Sequence, residues 1–163
     1  MAKPHPFHKR LIKEYTSIQK NKLPGIKLIY NDDQLINYIF QIIILNNEEI
    51  YKPDVKYYLS IIITNEYPVD SPQVKFISYS EDENTELSDI PLHPHIYSNG
   101  HICLNLLGED WTPACSIESI LLSIQSMLNN NQLLTRPPDN DSYIKHAPLN
   151  PKQSKFIYHD DNV

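Results

Sequence analysis

Residues 26–63 read IKLIYNDDQLINYIFQIIILNNEEIYKPDVKYYLSIII. Three stretches of this run, Ile26 to Tyr30, Leu35 to Leu45 and Val55 to Ile63, are rich in β-branched and aromatic side chains, and turn-forming residues divide them at Asn31-Asp32-Asp33 and from Asn46 to Pro53. A fourth, shorter stretch follows at Val74 to Ile77. Connections this short leave no room for the crossover helices that parallel neighbours require, so an antiparallel meander is expected. On the N-terminal side, Phe7, Leu11, Tyr15 and Ile18 recur at helical spacing from Phe7 to Asn21, with Lys9, Arg10, Lys13 and Lys20 at the remaining positions; Pro24-Gly25 then ends the helix. On the C-terminal side, Ile117, Ile120, Leu121, Ile124 and Leu128 mark a long amphipathic helix with Ser116 as its N-cap. Helices before and after a meander make the fold class α+β.

The chain has 163 residues, enough for one ordinary domain. Its 14 basic and 20 acidic residues give a net charge of −6, which argues against nucleic acid or an anionic membrane as a partner. The longest aliphatic run, Ile42-Ile43-Ile44-Leu45, is far short of the ~20 apolar residues of a membrane span, and Met1 to Tyr15 lacks a signal-peptide core, so an intracellular protein, cytoplasmic or nuclear, is expected. Two cysteines, Cys103 and Cys115, are too few for a disulfide scaffold. Three glycines against thirteen prolines exclude a glycine-rich phosphate loop. The acidic segment Ser80 to Asp89 is expected to be a solvated insertion. Arg136-Pro137-Pro138-Asp139-Asn140 reads as a turn, and Lys145 to Val163, without periodicity, as a partly mobile tail; the division is residues 1–144 for the core and 145–163 for the tail.

The chemistry concentrates between Ile90 and Pro113, an irregular stretch that holds the one tryptophan and three histidines. His93, His95, His101 and Cys103 are metal-ligand types, but no CxxC pair with metal-ligand spacing exists, so no metal site is assigned. A cysteine peptidase with Cys103 as nucleophile and a histidine as base is a second reading. A small buried thiol with no chemical role is a third, favoured for Cys115.

A fourth reading comes from a whole segment. The run His93-Pro94-His95-Ile96-Tyr97-Ser98-Asn99-Gly100-His101-Ile102-Cys103-Leu104 resembles the active-site loop of ubiquitin-conjugating enzymes, including the eight positions from the third residue of the triplet to the cysteine. Lys9-Arg10 with Lys13-Glu14, Tyr67-Pro68 to Pro72, Trp111-Thr112-Pro113-Ala114 and Pro138-Asp139 resemble the flanking motifs in the same order. The His-Pro-His variant, the Arg-Pro-Pro-Asp-Asn turn and the closing Tyr158-His159-Asp160-Asp161 resemble the W-type branch, which transfers ubiquitin to α-amino groups; Phe156-Ile157 stands where that branch has two tryptophans.

The resemblance implies a ubiquitin-conjugating fold with an N-terminal helix, a four-stranded antiparallel meander, an active-site loop, a long central helix and the tail. It implies that Cys103 is the thioester nucleophile, that His95 supports the loop or the oxyanion, and that Asp139 and Asn140 line the amine-entry turn. Lys9, Arg10 and Lys13 would meet the activating enzyme and ligase, with Pro68, Val69, Thr112, Pro113 and Ala114 forming ligase-contacting loops. The partners implied are ubiquitin, an activating enzyme, RING-type or U-box ligases and substrates with flexible N-termini; a weak homodimer is left open. No cofactor is bound, and ATP is used upstream by the activating enzyme. Lysine-directed members are similar to one another in placing acidic groups where this chain has Asn105 and Asn140, which favours an α-amine acceptor, while Asp139 beside them keeps a lysine acceptor open. A catalytically silent variant that binds ubiquitin or a ligase is the alternative from another class.

Overall fold

The computed structural model describes residues 3–154. Helix α1 (His8–Lys20) leads into strands β1 (Ile26–Asn31), β2 (Asn37–Ile43), β3 (Lys56–Ile62) and β4 (Gln73–Ile77), and these form one antiparallel sheet in chain order. A 3₁₀ turn (Asn105–Leu107), helices α2 (Ile117–Asn129) and α3 (Asn140–His146) and a second 3₁₀ turn (Pro151–Gln153) complete the described chain. The meander and the two amphipathic helices stand where the sequence places them.

Register puts Leu28, Phe40 and Leu59 opposite one another in successive strands, with Phe76 opposite Leu59, so every second residue of the sheet lines one face. That face is covered by the stripe of α2, whose Ile117, Ile120, Leu121, Ile124 and Leu128 are fully buried. Burial of side chains this size is worth about 1.5–3 kcal/mol each, so the sheet–α2 seam carries the core. Ser116 caps α2 in a reciprocal box: its hydroxyl accepts from the Ser119 amide, and the Ser119 hydroxyl accepts from the Ser116 amide. On α1, Leu11 is fully buried while Tyr15 and Ile18 pack at the margin of the core.

Three places differ from expectation. The second strand begins at Asn37 rather than Leu35, because Leu35 takes a φ of 60° in a turn closed by Asp32, whose carboxylate accepts from the Ile36 and Asn37 amides. The acidic segment is exposed from Glu81 to Leu87 yet tied down: Glu81 accepts from the Tyr58 hydroxyl at 2.5 Å and the Gln41 amide at 2.7 Å, on the sheet's outer face. The division at 144/145 falls inside α3, and beyond it Pro151 is buried while Lys152 reaches Asp70 at 2.9 Å and the Ser71 hydroxyl at 3.0 Å. Phe156-Ile157 and Tyr158 to Asp161 lie outside the described residues. Among the described residues no helix is long and apolar enough to cross a membrane.

Candidate active site

The loop from His93 to Leu104 lies along the free edge of β4. The Phe76 amide donates to the Gly100 carbonyl at 2.9 Å, and His101 bridges Lys75. The turn at its tip needs Gly100: its φ is +92°, and a Cβ there would lie 1.9 Å from the Phe76 carbonyl oxygen. Inside the loop the Tyr97 amide donates to the His101 carbonyl, and the Cys103 amide donates to the His95 carbonyl at 2.8 Å. Backbone bonding thus seats His95 beside Cys103, and both are buried, at 6% and 5% exposure.

His93 braces the entrance. Its Nδ1 accepts from the His95 amide at 2.9 Å, which leaves the proton on Nε2 to face the Met127 carbonyl at 3.3 Å. Burial, with the neighbouring His95 adding to it, pulls its pKa down to about 4, so the ring is neutral. Arg136 holds the same entrance from the far side, donating to the carbonyls of Ile90, Pro91 and Ile96 at 2.6–3.1 Å. It does more than mark a turn, because it satisfies three carbonyls of an irregular segment.

The turn after α2 pins the loop's other flank. The Asn140 side-chain oxygen accepts from the Ser98 amide at 2.8 Å and its amide nitrogen donates to the Ser98 hydroxyl at 3.1 Å. Asp139 is exposed and accepts from the Tyr97 hydroxyl at 3.0 and 3.2 Å. Tyr97 stacks on Tyr143 of α3 with ring centroids 3.8 Å apart, and the Tyr143 hydroxyl lies 2.7 Å from His101 Nδ1 and 2.6 Å from the Ser154 hydroxyl. Burial first, then the Asp139 hydrogen bond and charge, holds the Tyr97 phenol well above its usual range, and Cys103 lies close enough for its charge to add to the effect. Burial, reinforced by nearby Lys75, lowers the pKa of His101. The structure therefore gathers Cys103, His95, Asp139 and Asn140 around one loop, with Tyr97 as the link to Asp139.

The residues read as partner contacts divide. Lys9 and Lys13 are exposed on α1, and Val69, at 71% exposure, and Thr112, Pro113 and Ala114 are exposed on two loops that the Trp111–Pro68 hydrogen bond joins. Pro68 is buried, and its carbonyl accepts from the Trp111 indole at 2.9 Å. Arg10 is half-buried and turned inward: it donates to the carbonyls of Pro113 and Cys115 and to Glu14, with its guanidinium 5.3 Å from the Tyr67 ring centroid. The sequence offers little sign that Tyr97, Tyr143 and Arg136 belong to the site, because their partners across the loop lie tens of positions away; the aromatic at the loop's centre is the one local sign.

A thiol seated on a braced loop beside an α+β sheet, with exposed loops to one side, is an arrangement that comparison with known proteins places. The ubiquitin-conjugating enzyme family model matches residues 10–156. A probable ubiquitin-conjugating enzyme E2 W-A from Danio rerio is 41% identical over 158 residues, covering 95% of this chain and 97% of the relative. A probable E2 W from Dictyostelium discoideum is 37% identical over 161 residues, covering 96% and 97%. Among solved structures, the ubiquitin-conjugating enzyme UbcA1 from Agrocybe aegerita superposes with a TM-score of 0.76 at 35% identity, covering 88% of this chain and 96% of that one. The chain belongs to the ubiquitin-conjugating enzyme family and is a transferase of that family. The relatives named E2 W accord with the W-type resemblance of its loop.

Proposed function

We propose that Cys103 takes the C-terminal carbonyl of ubiquitin from an activating enzyme as a thioester and passes it to the α-amino group of proteins with flexible N-termini. The amine attacks the carbonyl, the C–N bond forms as the C–S bond breaks, the thiolate leaves and the amine's proton passes to solvent. Charge that builds on the carbonyl oxygen needs a donor; His95, seated beside Cys103, supplies a ring N–H or stiffens the loop that does. ATP is consumed upstream by the activating enzyme. RING-type or U-box ligases dock on the loops at Val69 and Thr112 to Ala114, in the cytoplasm or nucleus.

The observation that carries the acceptor preference is the pair of amides at Asn105 and Asn140, with the Asn140 side chain committed to Ser98. An amide offers no negative charge to draw a proton from lysine, whose pKa near ~10.4 leaves about one molecule in 2,500 neutral at pH 7; an α-amine near ~7.8 is neutral in about one of seven. The exposed carboxylate of Asp139 supports lysine as the second reading. The test is to load the full chain with activating enzyme, ATP and ubiquitin, then compare thioester decay in free lysine and in a lysine-free unstructured peptide with a free N-terminus. Loss to the peptide, absent in Cys103→Ala, is the expected result. Decay mainly in lysine reverses the preference, and failure to load leaves a ubiquitin- or ligase-binding module.

A further inference from the structure

Two exposed loops and two helices meet at one carboxylate. Glu14 Oε2 accepts from Arg10 Nε at 3.2 Å and from the Tyr67 hydroxyl at 2.6 Å, while Oε1 accepts from the amide of Ile117, the first residue of α2, at 2.8 Å. Each of these partners leads outward. Arg10 donates through its two terminal nitrogens to the Pro113 and Cys115 carbonyls, so the loop at Thr112 to Ala114 hangs from its guanidinium. Tyr67 precedes the loop at Pro68-Val69, and Trp111 joins the two loops, its ring tilted against Tyr67 with centroids 5.9 Å apart and its indole N–H donating to the Pro68 carbonyl. Glu14 itself is 11% exposed, too buried to meet a partner directly.

We infer that Glu14 is a positioning residue for ligase-dependent transfer: through Arg10 and Tyr67 its carboxylate sets the spacing between the loop at Val69 and the loop at Thr112 to Ala114. The inference rests on the reading that a ligase grips these loops. A rigid partner that touches both loops senses their separation, whereas the loop carrying Cys103 is braced by a different set of residues, His93, Arg136 and Asn140. Loss of Glu14 therefore acts on ligase affinity and leaves the thioester chemistry alone. A carboxylate is required because all three of its partners donate; a glutamine sets an NH₂ against at least one of them.

The test follows discharge of the loaded full chain onto the lysine-free peptide at rising concentrations of a RING domain that accelerates the wild type. For Glu14→Gln the ligase concentration for half-maximal rate is expected to rise about fivefold to tenfold, with the rate at saturating ligase and the ligase-free rate within about twofold of wild type. Tyr67→Phe cuts one arm and keeps the ring beside Trp111, and is expected to give a smaller shift of the same kind. In the free protein, the amide NMR signals of Val69, Thr112 and Ala114 are expected to move in Glu14→Gln. An unchanged ligase requirement in both variants overturns the inference, as does a ligase-free rate that falls in proportion. A wild type that no RING domain accelerates overturns the ligase reading beneath it, whereas unmoved loop signals in Glu14→Gln overturn the positioning role alone, so the two failures are distinct.

Discussion

His93 illustrates how a single ring makes the fold sensitive to acid. In the unfolded chain it protonates near 6.5, but in the native protein burial beside His95 delays this to about 4. Between those values the unfolded state binds more protons, so stability rises with pH there; the contribution is complete above 6.5 and is lost as pH falls toward 4. A displacement of this size corresponds to about 3 kcal/mol. Urea unfolding at pH 7.5 and 4.5 is expected to show an acid loss in wild type that His93→Gln reduces by about 2 kcal/mol, since glutamine does not titrate. An equal loss in both proteins would remove His93 from the account of acid stability. The ring's place in the loop makes this functional as well, because its protonation dismantles the bond to the His95 amide beside Cys103.

At the scale of elements, the active-site loop is a strand-like edge that depends on one left-handed residue. Gly100→Ala adds a Cβ that meets a backbone oxygen of β4 at 1.9 Å, and backbone cannot swing aside as a side chain would. The substitution is expected to cost on the order of 3 kcal/mol in urea unfolding and to lower charging of Cys103; a loss under about 1 kcal/mol would show that the loop does not need its seat on β4. This loop was legible in the sequence because its signal is local: Asn99-Gly100 marks the turn, and its spacing to Cys103 is short. The meander and α2 were legible for the same reason, through alternation and helical stripes. Helix α3 was not, since its seven residues make only two turns and show no periodicity, and its stabilising contact, Tyr143 on Tyr97, is made across the fold. Leu35 misled because leucine seldom takes positive φ, and the Asp32 carboxylate that holds it there left no mark in the pattern. Glu14 and Asp139 act on partners 53 and 42 positions away, a distance over which sequence spacing is silent.

For the molecule as a whole, the question is whether the site draws the proton from its acceptor or waits for an amine already neutral. Asn140 is tied to Ser98 and carries no charge, and the Asp139 carboxylate is engaged by the Tyr97 hydroxyl. On the proposed function, a site arranged this way selects by the acceptor's own pKa. From pH 7 to 9 the neutral fraction of an α-amine rises about sevenfold and then saturates, whereas that of lysine rises about a hundredfold without saturating. Ligase-free discharge of loaded enzyme is therefore expected to climb steeply with pH in free lysine and to level off above pH ~8 with the peptide, so that the preference for the peptide shrinks as pH rises. The proton count sets the sign: raising pH helps the more basic amine more. A lysine profile that flattens below pH 8 would show a group in the site taking the proton, and Asp139→Asn, measured over the same range, would then restore the steep slope if Asp139 is that group.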